Sequence, residues 1–194
     1  MTGVETSRGA IGCAVAVNAA GPWAQEVAAW VGLHLEIRPQ RGQVLVTEKA
    51  PRLLGPFVLS GGYAAAKLEE QSERPAELAT AQLASGNVLL GSTREFAADQ
   101  VGTTPDALGS IAQEARRLLP GLGDLAVIRS FAGLRPYRPG GEPMVACAQE
   151  PLGFIVAAGH GGDGVALAPG TGRRVPQLVL EATGLNRGPL QAEN

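Results

Sequence analysis

The hydrophobic pattern of this chain changes character twice. Ile11 to Ala20 (IGCAVAVNAA) is a short apolar run rich in valine, closed at once by Gly21-Pro22. A run that is apolar on both faces predicts a buried strand of the kind found in parallel sheets. Pro22 then suits the first turn of a helix, where Trp23, Val27, Trp30 and Val31 recur at helical spacing; both tryptophans are assigned to helix packing. Residues 11–32 therefore read as strand, glycine turn and helix, one edge of an α/β domain.

The middle reads differently. Gln43 to Glu48, Phe57 to Ser60, Tyr63 to Leu68, Glu77 to Leu83 and Asn87 to Ser92 are short extended candidates separated by glycine, proline and charge. Ser85-Gly86 is a hairpin turn between the last two, and the polar stretch Glu69 to Ala76 is an exposed loop. Thr104-Pro105-Asp106 then announces a helix, with a capping hydroxyl, a proline at the first position and an acid in the first turn. Leu108, Ile111, Ala112, Ala115, Leu118 and Leu119 share one of its faces, and Pro120 ends it. A strand follows from Leu125 to Leu134. This is an antiparallel sheet with at least one covering helix, an α+β unit.

The last third returns to the first style. Gly153 to Ala158 (GFIVAA) is another buried-strand run, followed by GHGGDG and a helix-like stretch from Asp163 toward Thr183. Pro169, Gly170, Gly172 and Pro176 predict that this helix is irregular, kinked or broken. The chain leaves an α/β domain, builds a sheet domain and comes back. The expected boundaries are residues 1–34, 35–132 and 133–194.

Composition narrows the function classes. The 194 residues are 45% hydrophobic with a net charge of −2, which excludes neither one domain nor one and part of another, but speaks against disorder. No basic tract offers a nucleic-acid surface. Cys13 and Cys147 lack CxxC spacing and fit buried thiols in a reducing compartment. With His34 and His160 the only histidines, no metal site is identified. The polar Met1–Arg8 segment and the lack of a membrane-length apolar run predict a cytoplasmic protein without a transmembrane segment.

Gly159 to Gly164 matches G-x-G-x-x-G after a strand and before a helix. Three readings stay open: a dinucleotide or phosphate-ester fingerprint, a helix N-terminus aimed at some other anionic group, or a glycine turn that only satisfies backbone sterics. Against a full nucleotide fold, only 30 residues follow Gly164, too few for the crossover helix and a second strand with an acid at its tip.

Five segments in order carry a resemblance: VNAAGPWA (17–24), RGQVLVTE (41–48), GNVLLGSTRE (86–95), FAGLRPYRPGGEP (131–143) and GFIVAAGHGGDGVALAPGTG (153–172). Together they resemble the FAD-dependent oxidoreductases of the D-amino-acid oxidase and glycine oxidase family. The likeness is greatest to its bacterial amino-acid dehydrogenase branch of glycine, hydroxyproline and opine enzymes, and covers roughly residues 3–184. The resemblance implies an FAD-binding α/β domain interrupted by a substrate domain with a mixed or antiparallel sheet. It also implies that the chain starts near the family's midpoint, without the first strand, the glycine fingerprint and the ribose-binding acid. Isolated, it is then expected to bind FAD weakly or not at all and to need an N-terminal half or other subunits. The apolar run at 11–20 is expected to lie exposed.

Position by position, Arg135 in GLRP matches the arginine that pairs with the substrate carboxylate; a structural salt bridge is the competing reading. Tyr63 and Tyr137 are candidate pocket lining. Gly162, Asp163 and Gly164 match the loop and helix start near the flavin's pyrimidine edge, and Gly159, His160 and Gly161 lead into it. His160 either holds the turn or faces the cofactor. Ala20 and Gly21 match a strand end that approaches FAD, and Arg41 and Gly42 the start of the substrate domain near the isoalloxazine; turn chemistry is the alternative for both pairs. The implied reaction is hydride transfer from an amine or amino-acid α-carbon to flavin, with no obligatory protein acid or base. Competing with it are a non-catalytic module and a small α/β protein binding NAD.

Overall fold

The computed structural model describes residues 1–68, 77–96 and 101–184. In chain order the elements are β1 (Gly3–Thr6), β2 (Gly9–Gly12), β3 (Ala16–Asn18), α1 (Ala24–Ala29), β4 (Arg38–Lys49), β5 (Val58–Leu59), α2 (Gly61–Leu68), β6 (Ala79–Gln82) and β7 (Asn87–Gly91). Then come α3 (Pro105–Leu118), β8 (Val127–Tyr137), β9 (Met144–Cys147), β10 (Phe154–Ala158) and α4 (Gly164–Thr183). They divide into two compact units, one of Met1–Arg38 with Pro136–Asn194 and one of Pro39–Arg135. Among the described residues no helix is long and apolar enough to cross a membrane.

The first unit is a mixed α/β layer. β10 is its central strand, parallel to β3 through Phe154↔Ala16 and antiparallel to β9 through Ile155↔Cys147. All five β10 residues are buried, as a two-sided apolar run requires. Ala24 and Ala28 of α1 pack with Leu35, Ile37, Phe154, Val156 and Ala158, and Val27 and Val31 join from the helix flank. The larger of these side chains contribute roughly 1.5–3 kcal/mol each when fully buried.

Three expectations change here. Only Ala16–Asn18 of the 11–20 run forms the parallel strand. Gly9–Gly12 instead pairs with Gly3–Thr6 in an exposed hairpin, whose turn Thr6 closes by donating its Oγ1 hydroxyl to the Gly9 carbonyl at 2.8 Å. Trp23 and Trp30 do not pack: they are 51% and 74% exposed, because α1 ends at Ala29 and buries only its alanine stripe. α4 is helical without a break through Pro169 and Pro176. Each proline deletes one backbone donor from the helix.

The second unit is a five-stranded sheet in the order β5-β6-β7-β4-β8, antiparallel across β5/β6, β6/β7 and β7/β4. The hairpin turn falls at 83–86, with Gly86 at φ +93°. Ile111 and Ala115 of α3 are buried with Leu45, Leu78, Val88, Leu90 and Leu122, and Leu108, Ala112 and Leu119 flank them. Thr104 precedes the helix in an extended conformation with Pro105 at its start, as expected, but makes no side-chain cap bond. Its hydroxyl instead accepts from Gln43 Nε2 at 3.3 Å. One segment departs from its expected state: Tyr63 to Leu68 belongs to α2, not to a strand. Ser60 starts that helix, its Oγ accepting the Tyr63 backbone N–H at 3.0 Å. The expected loop at Glu69–Ala76 lies outside the described residues.

Candidate functional site

Side-chain alternation sorts the substrate-domain residues onto two faces of the sheet. Arg41 and Gln43, two apart on β4, point toward α3. There Glu95 Oε2 accepts from Arg41 Nε at 3.1 Å and from Nη2 at 2.5 Å, and Glu95 Oε1 accepts from Gln43 Nε2 at 2.9 Å. Arg41 Nη1 also donates to the Gly102 carbonyl at 3.2 Å, and Gln43 Oε1 accepts the Thr104 N–H at 2.7 Å. Arg41 and Gln43 are buried. Burial alone would raise the Glu95 pKa; hydrogen bonds from Thr93, Arg41 and Gln43, with the Arg41 charge, outweigh it and hold the carboxyl below its ordinary value. Arg41 is thus occupied by an ion pair whose side chains are 7% and 25% exposed.

On the opposite face, between Arg41 and Gln43, stands Gly42, and against it lies Arg135. A Cβ added to Gly42 would sit 2.6 Å from Arg135 Cζ, an overlap, so the missing side chain is what admits the guanidinium. Arg135 Nη2 donates to Ser92 Oγ at 2.7 Å and Nη1 to the Thr93 carbonyl at 3.2 Å. No carboxylate pairs with it among the described residues. Burial is the main cause that draws its pKa below the usual arginine value; the like charge of Arg94 adds to this and Tyr63 opposes it. The Tyr63 ring carries the Arg94 guanidinium 5.0 Å from its centroid. The structure therefore brings Gly42 and Arg135 together, while the ring of Tyr63 is taken by Arg94. Tyr137 belongs to the other unit, with Arg38 5.8 Å from its ring centroid. Ser92, Thr93 and Arg94, in the GNVLLGSTRE segment, receive no role from the sequence alone. Period-two alternation through Ser92–Glu95 is the signal that could have found them.

In the first unit the parallel strands β3 and β10 both end at a groove of about 540 Å³. Strand ends of parallel sheets are where α/β folds hold ligands. Val17 lines it from β3, Ala19 and Gly21 from the turn after β3, and His160, Gly161 and Gly164 from the loop after β10 and the start of α4. Gly21, Gly159 and Gly161 have φ of +57°, +85° and +55°, conformations that a side chain would strain. Asn18 anchors the β3 end: its Nδ2 donates to the Ala24 carbonyl at 2.8 Å and its Oδ1 accepts the Ala20 N–H at 3.2 Å. His160 Nε2 lies 2.7 Å from Thr171 Oγ1 while its side chain lines the groove, so turn-holding and groove-facing coexist. Ala20, Gly159, Gly162 and Asp163 adjoin the groove in sequence without lining it; Asp163 is the residue before α4. The lining glycines and alanines leave room for a flat ring, and the N-terminus of a 20-residue helix beside them favours negative charge. These residues fit a flavin edge.

The chain belongs to the FAD-dependent oxidoreductase (DAO) family, whose pattern residues 1–178 match. Among its relatives, the hydrogen cyanide synthase subunit HcnC of Pseudomonas aeruginosa is 32% identical over 186 residues, covering 94% of this chain and 41% of that protein. Glycine oxidase of Pseudomonas putida is 32% identical over 182 residues, covering 94% and 46%. The solved glycine oxidase from Geobacillus kaustophilus superposes with a TM-score of 0.78 at 24% identity over 92% of this chain and 45% of its own. The chain spans less than half the length of these relatives.

Proposed function

We propose that this chain supplies the substrate-binding and flavin-facing parts of an enzyme that oxidises an amine or amino acid with FAD. The observation that carries the reading is Arg135: half-buried, seated on Gly42, bonded to a hydroxyl and a carbonyl, and paired with no carboxylate among the described residues. A desolvated guanidinium so placed is a receptor for a carboxylate, which its planar fork can grip with two parallel hydrogen bonds. Gly21, His160, Gly161 and Gly164 would hold the edge of the flavin, and the start of α4 would favour negative charge there. When bound, FAD supplies the hydride acceptor; the protein's part is to bind, orient and exclude water. The family match favours flavin over the nicotinamide and phosphate-ester readings of GHGGDG.

Because the chain covers under half of its relatives, the active unit is proposed to include further polypeptide, in the same chain or from a partner subunit. Two free, half-buried cysteines support a cytoplasmic location. The test is anaerobic addition of primary and secondary α-amino acids to the flavin-loaded assembly of this chain with that further polypeptide. Bleaching of the flavin band by any of them supports the reading; a full panel without bleaching refutes it.

Gly42→Ala probes the same seat. The new methyl displaces a flexible guanidinium, so the melting temperature is expected to stay within a few degrees of wild type. Affinity for a carboxylate ligand should fall about tenfold, the equivalent of one weakened charge-assisted hydrogen bond. Titration calorimetry with acetate checks both halves when set beside a thermal melt.

A further inference from the structure

Arg135 is held at an irregularity of the sheet. Arg41 pairs with Glu95 and Val44 with Gly91, so two residues of β4, Gly42 and Gln43, face the three residues Ser92 to Arg94. An extra residue of this kind is a β-bulge, which disrupts the ladder locally and re-aims what it carries. At this bulge the Gln43 N–H bonds to a side chain, the Thr93 hydroxyl, at 3.1 Å, with both residues buried. The same hydroxyl donates to Glu95, whose carboxylate also accepts from Arg41 and from Gln43 Nε2. One hydroxyl thus uses its acceptor and its donor to tie the bulge to β4 and to the ion pair behind it.

Both groups that hold Arg135 belong to the bulge. The Thr93 carbonyl accepts from Nη1 at 3.2 Å, and Ser92 Oγ accepts from Nη2 at 2.7 Å. Ser92 is fixed from the other flank, its N–H donating to the Glu77 carbonyl at 3.0 Å and its carbonyl accepting the Glu77 N–H at 3.4 Å. A guanidinium is a planar fork, and it grips a carboxylate with two parallel bonds only when that plane is correctly set. We propose that Thr93 is a positioning residue: its hydroxyl fixes the bulge and, through it, the plane in which Arg135 meets the substrate carboxylate. This role rests on the reading of Arg135 given above. A guanidinium ordered in advance loses little further freedom on binding, so the hydroxyl contributes to affinity without touching the substrate.

Acetate tests this, because it carries one carboxylate and is not turned over. It is titrated calorimetrically into the flavin-loaded assembly of this chain with the further polypeptide. Thr93→Val keeps the shape of the side chain and removes the hydroxyl. It should weaken acetate about five- to tenfold, the factor that one hydrogen bond of ordinary strength is worth. Thr93→Ser returns the hydroxyl and should restore most of the affinity. For an α-amino acid that bleaches the flavin, the same factor should appear in KM with kcat unchanged. FAD content should match wild type. Arg135→Gln should weaken acetate on its own, and Thr93→Val should then add little. Acetate affinity that falls with Arg135→Gln but not with Thr93→Val overturns the proposal. So does a loss that Thr93→Ser leaves in place, or one matched by a loss of FAD. Should Thr93→Val fail to assemble, Thr93→Ala is read in its stead; failure of both makes Thr93 a structural residue and overturns the proposal too. Acetate binding untouched by Arg135→Gln overturns the Arg135 reading instead, and no acetate binding by wild type overturns both.

Discussion

Replacing Arg135 with alanine in the flavin-loaded enzyme is expected to lower kcat/KM for amino-acid substrates by roughly 30- to 4,000-fold. Truncating one partner of a buried, hydrogen-bonded charge pair typically costs about 2–5 kcal/mol, and each 1.4 kcal/mol is about tenfold. The loss is large because the substrate carboxylate is left in a partly desolvated place without its counter-charge. Arg135→Lys keeps the charge and loses the fork, so it should recover only part of the rate. An amine that lacks the carboxylate should be almost indifferent to either change. The fold should be nearly so as well, since among the described residues Arg135 contributes two hydrogen bonds, to Ser92 and Thr93. Steady-state kinetics on matched substrates with and without the carboxylate, together with flavin content and a thermal melt, decide the matter. If both substrates suffer equally and flavin or stability is lost, Arg135 is a structural residue.

Glu95→Gln should act on stability. Arg41 is buried beside Glu95, and removing the carboxylate charge leaves a desolvated guanidinium with neutral acceptors. Breaking a fully buried pair costs about 3–5 kcal/mol; Glu95 keeps a quarter of its side chain exposed, so about 2–3 kcal/mol is expected here. For a chain of this size that lowers Tm by about 5–10 °C. The pH dependence has a definite sign. Because the folded carboxyl titrates below its ordinary value of 4.5, the pair's stabilisation is fully present above that value and is lost as pH falls through the folded pKa. The Tm gap between wild type and Glu95→Gln should be constant from about pH 7 to 5 and shrink below 4.5. A gap that widens on acidification would rule out the ion pair as its source.

Elements with a long or doubled signal were legible in the sequence, and short elements with a mixed signal were not. α3 had both a start signal at Thr104-Pro105 and a stripe from Leu108 to Leu119, and it forms from Pro105 to Leu118. β10 had an unbroken apolar run, and it is buried throughout. Residues 63–68 were short, and their aromatic start outweighed the alanine triplet Ala64–Ala66. Ser60, three residues before Tyr63, was the overlooked cap. The 11–20 run failed for a different reason: hydrophobicity cannot say where a strand stops pairing, and only Ala16–Asn18 lies against β10. The unit boundaries at 38/39 and 135/136 fall inside β4 and β8, and strand character that runs through a boundary hides it from a reading by elements. At the site, Arg135 was visible as a residue type in a motif. Its seat was not, because that depends on Gly42 and on Ser92 and Thr93, respectively 93, 43 and 42 residues away along the chain.

The overlap that a Cβ at Gly42 would create with Arg135 ties the two positions into a single heritable unit. A methyl at Gly42 is harmful only while a large cation occupies the space above it, and a smaller residue at Arg135 removes the reason for a glycine below. Their effects on carboxylate binding should therefore be non-additive, with Gly42→Ala adding little once Arg135 has been replaced. Over evolutionary time, lineages that abandon the arginine are freed to accumulate side chains at position 42. Those that keep it are held to glycine.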